Sequence, residues 1–283
     1  MGAEIITTDQ TSQYVIGSSD FVVLMAGVTL TIDATTDPGF LAAHDGINTL
    51  TVHGQVVTSG STVVIGSTSS ATMLASVAVG AGGLLQSLTD HGVEMQRSGS
   101  RIDNDGTISG GNGGVTYAAG VTGATLVNAG TLTSLLGYGV SVTGDAGGTL
   151  GLFDITNTGV IETETDGVTV ASESLVVANH GQILATGVGI ALADDASLDN
   201  TLTLTNTGLI QGASTAIDAT GHDDSVTNTG TIIGAVLLEA GDNTVDNAGR
   251  VSGPVTAGAG ADTLVNSGEI DAAVDLGGGA NII

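Results

Sequence analysis

The side chains in this sequence equipped for chemistry are five histidines, two pairs of adjacent aspartates, and a column of Asp and Asn residues nineteen apart. His53, His91 and His180 each precede a glycine, whereas His44 and His222 each precede an aspartate, and none of the five has the spacing of a metal-ligand set. Asp194-Asp195 and Asp223-Asp224 are the adjacent pairs. Two positioned acids are what glycoside hydrolysis requires. Neighbours in a strand point to opposite faces, so the two acids of a pair cannot converge on one bond. A sugar cleft also draws on cationic and aromatic walls, and this chain has no lysine and only 2% aromatic residues. The paired acids therefore read as solvated turn residues, with a carbohydrate-binding or carbohydrate-cleaving role through His180, Asp194 and Asp195 as the alternative. The column runs Asp224, Asn243, Asp262, Asn281. Such a column is either turn chemistry, with charges two steps apart to limit repulsion, or a source of oxygen ligands for a hard cation.

What positions these residues is a repeat. Eight asparagines share one setting: Asn104, Asn128, Asn157, Asn179, Asn206, Asn228, Asn247 and Asn266. Each has Gly two later, and Val, Leu or Ile both two before and four after. Successive copies lie 24, 29, 22, 27, 22, 19 and 19 residues apart. Segments this rich in Gly, Thr and Asp are poor helix formers. The apolar residues alternate instead, as Val226, Ile232, Val236 and Leu238 do around Asn228 and Gly230, so Asn belongs to the inward phase of a strand pattern. Two or three short strands joined by Gly, Asn and Asp turns make one coil of an all-β, single-chain parallel solenoid of about 19–29 residues per coil, right-handed by the usual preference for parallel crossovers. An inward Asn costs a few kcal/mol if left unpaired, but stacked on an identical Asn its amide donates to the next carbonyl. The glycine falls where a β-carbon would clash or where φ must be positive.

The repeat predicts regular coils over residues 102–283. Before Asn104 the pattern fades: Leu50–Val56 keeps the alternation without Asn, Ala78–Leu84 fits an intervening coil, and residues 1–49 read as an N-terminal cap and first coil ahead of a solenoid at 50–283. Asn281-Ile-Ile283 stops in mid-coil, which predicts further repeats in the natural protein or an end that docks on another chain. Register supplies a check, because Arg250 and Glu269 stand nineteen apart and become vertical neighbours on the solvent face.

Composition narrows the classes of function. There are 29 acids against three arginines, Arg97, Arg101 and Arg250, giving a formal charge of −26 that repels nucleic acid and anionic membranes. Hydrophobic residues make up 41%, enough to fold on small aliphatic side chains. The absence of cysteine excludes disulfides and thiol nucleophiles. The longest apolar run, Phe21–Val28, is far short of a spanning helix, and no basic leader opens the chain, so export would use another route or follow trimming. No glycine-rich turn opens a helix to cradle phosphate, and no nucleophile–base set emerges.

Three resemblances add to this reading. The stretches VTNTGTIIGAV, VDNAGRVSGPV and LVNSGEIDAAV resemble the passenger-type β-helices of secreted bacterial adhesins, over about residues 100–283. Gly258-Ala-Gly260-Ala-Asp262-Thr-Leu264 resembles the calcium-binding nonapeptide of RTX proteins, which implies Asp224, Gly260 and Asp262 as calcium ligands, although Asn243 and Asn281 depart from the motif. The His-Gly and Asp-Asp pairs are similar to fragments of β-helical polygalacturonases, but no Arg-x-Lys partner follows them. The adhesin and RTX resemblances, with a continuous stack that shows no active-site constellation, lead to the expectation of a non-enzymatic, extracellular or cell-surface bacterial protein: a rigid acidic stalk, adhesin, matrix or surface-layer solenoid ~50 to 60 Å long if about a dozen coils stack. Ca²⁺ would assist its assembly, and its partners would be itself, end-to-end or lateral, or a surface glycan or protein, with no nucleic acid and no membrane insertion.

Overall fold

A computed structural model describes residues 2–17, 20–33, 37–43, 46–66, 74–143, 151–171, 173–193 and 199–283. The chain divides into two compact units, residues 1–143 and 144–283. Among the described residues every strand pairing is parallel and no helix forms. This is a parallel β-solenoid, with three strand columns in each unit.

In the first unit one column stacks Ala3–Ile6, Phe21–Leu24, Asn48–Val52, Ala75–Val79, Arg101–Asn104 and Thr125–Asn128. A second stacks Thr29–Ile32, Gln55–Thr58, Leu84–Ser87, Thr107–Gly110 and Thr131–Ser134. The third runs from Tyr14–Val15 through Phe40–Ala42, Val63–Ile65, His91–Met95 and Gly113–Tyr117 to Tyr138–Val142. Residues 3–49 thus carry strands in the same parallel columns as the residues that follow.

The second unit repeats the plan. Its first column stacks Leu152–Asn157, Ser174–Asn179, Leu202–Asn206, Ser225–Asn228, Thr244–Asn247 and Thr263–Asn266. Its second and third columns stay distinct except in Leu209–Asp218 and Thr231–Leu237, single strands that each serve both, with register shifts at Gln211/Thr215 and Thr215/Ile217 where the two pair. Such bulges let a strand turn a corner without ending.

Alternation decides what lies inside. In the first column of the first unit Val22, Leu50, Val77, Ile102 and Leu126 form one buried stack, and Leu24, Val52, Val79, Asn104 and Asn128 form the next. One inward position is therefore aliphatic in three coils and Asn in the following two. Large rings are almost unnecessary to this core, because each coil fills only the height of one strand spacing, about 4.8 Å. Phe40, Tyr117 and Phe153 are the buried rings.

Candidate functional site

The Asn-x-Gly corner is the feature that repeats, and its chemistry follows from stacking. Asn104 Nδ2 donates to Asn128 Oδ1 at 2.7 Å in the first unit. In the second unit the chain of donors runs Asn157 to Asn179, Asn206, Asn228, Asn247 and Asn266 at 2.7–2.8 Å. The other amide hydrogen is also used: Asn179 Nδ2 lies 3.1 Å from the Leu209 carbonyl, and Asn157 Nδ2 lies 3.0 Å from that of Gln182. The main chain of each Asn participates as well, since the Asn157 carbonyl accepts from the amides of both His180 and Gly181, at 2.7 and 3.0 Å. A fully satisfied corner of this kind exists only when the same residues recur directly above. The glycine follows from close backbone approach. A β-carbon on Gly230 would sit 2.2 Å from the Gly208 carbonyl oxygen, and one on Gly130 would sit 2.1 Å from that of Gly106. Positive φ is not the reason, because these corner glycines are absent from the left-handed set, which includes Gly120, Gly241 and Gly260.

The Asp/Asn column forms a second ladder. Asp224 Oδ1 accepts from Leu202 N at 2.6 Å, Asn243 Oδ1 from Asp224 N at 3.0 Å, Asp262 Oδ1 from Asn243 N at 3.0 Å, and Asn281 Oδ1 from Asp262 N at 2.9 Å. Each side chain thus satisfies the amide that opens the strand of the preceding coil. Asp224 is saturated, because its Oδ2 also accepts from Thr220 N at 2.9 Å and Thr220 Oγ1 lies 3.2 Å from both oxygens. Burial pushes its carboxyl up to about 6, with the bonds from Leu202 and Thr220 opposing the shift. Asp262 is different. Its Oδ1 accepts from Asn243 N and Nδ2, while its Oδ2 is buried with no hydrogen-bond partner.

These positions test whether the residues expected to hold calcium fit the ion. Asp224 and Asp262 lie two coils apart with Asn243 between them. Both carboxylate oxygens of Asp224 are engaged, so the buried Asp262 Oδ2 is the one oxygen of the two carboxylates without a hydrogen-bond partner. Among the described residues no group of three His, Cys, Asp or Glu side chains converges on a metal position. The two expected carboxylates are thus split between coils, and Asp262 is the one with an oxygen not already hydrogen-bonded.

The other candidates are dispersed. Asp194, Asp195 and His44 lie outside the described residues. Asp223 is exposed and accepts from Asp242 N at 2.7 Å, while Asp224 is buried, so the adjacent pair faces opposite ways. His91 Nδ1 lies 2.9 Å from Asp90 Oδ1, and His222 Nδ1 lies 3.7 Å from Asp199. His180 stands at an Asn-x-Gly corner, with Nδ1 2.8 Å from Thr207 Oγ1 one coil on. Between these corner residues and the strand that follows runs a furrow of about 510 Å³ across four coils. Arg250 and Glu269 are register partners, but the guanidinium meets Asp271 more closely, at 2.9 Å against 3.7 Å for Glu269.

Two features were not anticipated from the sequence. Arg97 is fully buried in the first unit and donates to the Gly46 carbonyl and to Asn48 Oδ1. A single arginine carries no periodic signal, so nothing in the sequence marked it as internal. The furrow leaves no signal in the sequence because its floor is made by missing side chains, the stacked glycines.

Fold and corner chemistry together define a parallel β-solenoid built on an asparagine ladder. Comparison with family models, with curated proteins and with solved structures finds no match in any of the three.

Proposed function

We propose that this chain is a non-enzymatic structural or adhesive solenoid of the bacterial cell surface or extracellular matrix, of the kind its resemblance to adhesin passenger repeats and RTX-tailed proteins implies. The observation that carries the reading is the unbroken ladder of the second unit, in which main chain and Asn amides both bond along the stack. Residues spent on stacking make a scaffold that resists fraying, and the formal charge of −26 keeps neighbouring molecules apart unless cations screen them. Calcium enters this reading through Asp262 Oδ2 and through the exposed acids, as an aid to lateral or end-to-end assembly. The test is adhesion of beads coated with the full chain to bacterial and abiotic surfaces, alongside light scattering with Ca²⁺ and with chelator. Bead retention supports the reading, and a loss of self-association in chelator supports the role of calcium. Beads that stay free, combined with glycan turnover that disappears on Asp194→Asn or Asp195→Asn, would replace it with a carbohydrate-cleaving β-helix.

A further inference from the structure

The furrow of the second unit is a binding surface whose chemistry can be read from its walls. One wall is the middle residue of successive Asn-x-Gly corners, Thr158, His180 and Thr207, all exposed. The facing wall includes Gln182, Leu209 and Thr231, and the floor is the stacked corner glycines. Apart from His180, every residue lining the furrow is of a neutral type, although the chain carries 29 acids. Charge returns on the facing wall's column only in the next coils, at Arg250 and Glu269.

From Gly181 to Gly230 the main chain of the floor is already paired and has little to offer an added strand. The amides of Gly181, Gly208 and Gly230 donate to the Asn carbonyls of the preceding coil, and the carbonyls of Gly159, Gly181, Gly208 and Gly230 accept from Gln182, Leu209, Thr231 and Arg250 of the next. Strand addition needs unpaired main-chain groups. Recognition here therefore falls to hydroxyl, amide and imidazole side chains, repeated at the coil spacing of about 4.8 Å over about 14 Å. That spacing is close to the length of one sugar in an extended glycan chain. The His180–Thr207 bond at 2.8 Å fixes the imidazole and leaves its other nitrogen to meet a ligand hydroxyl.

We propose that this furrow binds a neutral, linear polysaccharide lying along the stack, with successive sugar hydroxyls meeting Thr158, His180 and Thr207 on one side and Gln182 and Thr231 on the other. This rests on the adhesive reading above and supplies its partner. With no aromatic platform in the furrow, each sugar is held weakly and retention accumulates along the polymer.

The test is affinity electrophoresis of the full chain through gels containing hydroxyethylcellulose, xylan, galactomannan or dextran. The expected result is retardation by at least one polymer and little competition from its free monosaccharide. Thr207→Glu and His180→Ala should each weaken retention roughly tenfold. Ser214→Glu, which adds the same charge at an exposed position outside the furrow, should leave it unchanged. Unaltered thermal melts show that the variants fold. The proposal is overturned by a wild-type chain unretarded on all four gels, by Thr207→Glu behaving as wild type, or by an uncharged Gly/Ser/Thr-rich peptide binding in place of the glycans. Bead adhesion measured in parallel separates the two ideas. Adhesion without glycan retention defeats the furrow and leaves the adhesive reading standing, and glycan retention without adhesion does the reverse.

Discussion

Asn228 Nδ2 donates to Asn247 Oδ1 across 2.7 Å, and both side chains are fully buried. Asn228 also accepts from Asn206 at 2.8 Å, so it stands in the middle of the ladder. Replacing it with Ala strands a donor on Asn206 and an acceptor on Asn247. The expected loss is about 2–6 kcal/mol, since each of the two orphaned buried groups costs about 1–3 kcal/mol. The same change at Asn266, the exposed last rung, strands only the Asn247 amide, which keeps the Glu269 carbonyl at 3.2 Å, so the loss there should be smaller, about 1 kcal/mol. Equal losses in chemical denaturation would show that stacking contributes nothing special.

The glycine corner gives a steric counterpart. Gly230→Ala drives a methyl into the Gly208 carbonyl and should destabilise the second unit by about 3 kcal/mol or more. Gly82 has open space where its β-carbon would lie, so Gly82→Ala should be neutral within about 0.5 kcal/mol. Thermal midpoints of the two variants check this directly.

At the other end of the first unit's ladder, Asn104 Oδ1 is buried with no donor, and its register partner in the preceding coil is Val79. Val79→Asn places an amide where that oxygen needs one. Both Val79→Asn and Val77→Asn lose a buried valine, but Val77 faces Ile102 and gains no bond. Val79→Asn should therefore be the milder by about 1 kcal/mol. A reversed order in urea titrations would remove the ladder from the account of this column.

Asp224 makes stability depend on pH. Burial raises its folded carboxyl to about 6, above the unfolded value near ~4. The native state then binds more protons than the unfolded state across that window. Its contribution to stability is fully present below about 4 and is lost as pH rises through about 6. The wild-type thermal midpoint should rise between about pH 7 and pH 4.5 by more than that of Asp224→Asn. Asp223→Asn, at an exposed side chain, should follow the wild type.

Asp262 separates a hydrogen-bonding role from a calcium role. In chelator, Asp262→Asn turns the orphaned Oδ2 into a donor, as the equivalent Asn243 Nδ2 already is toward the Ala240 and Gly241 carbonyls at 3.2 and 3.1 Å. It should raise the midpoint by the equivalent of about 1 kcal/mol. Added Ca²⁺ should raise the wild-type midpoint and leave Asp262→Asn unmoved. A wild type indifferent to Ca²⁺ removes the ion from the proposed function.

Much of this fold was legible because identical residues return at one phase of an alternation. Asn recurring between aliphatic neighbours has few uses other than a stack, and Arg250 opposite Glu269 has the register that the spacing implies. Coils before Asn104 were harder to read because their inward position holds Leu24, Val52 and Val79, which any strand would bury. The preference of Arg250 for Asp271 depends on diagonal reach across the surface, which vertical register does not encode. The resemblance pointed to Asp224 alongside Asp262, yet letters do not say that both Asp224 oxygens already accept from main-chain amides of Leu202 and Thr220.

The amide ladder also has a sense of travel. From Asn157 to Asn266 every rung hands its hydrogen to the residue that comes later in the chain, never to an earlier one. A coil that has just closed therefore exposes a donor waiting for a loop the ribosome has yet to supply. Within the second unit, assembly is expected to advance like a zip in the order of synthesis, each finished turn serving as the template for its successor.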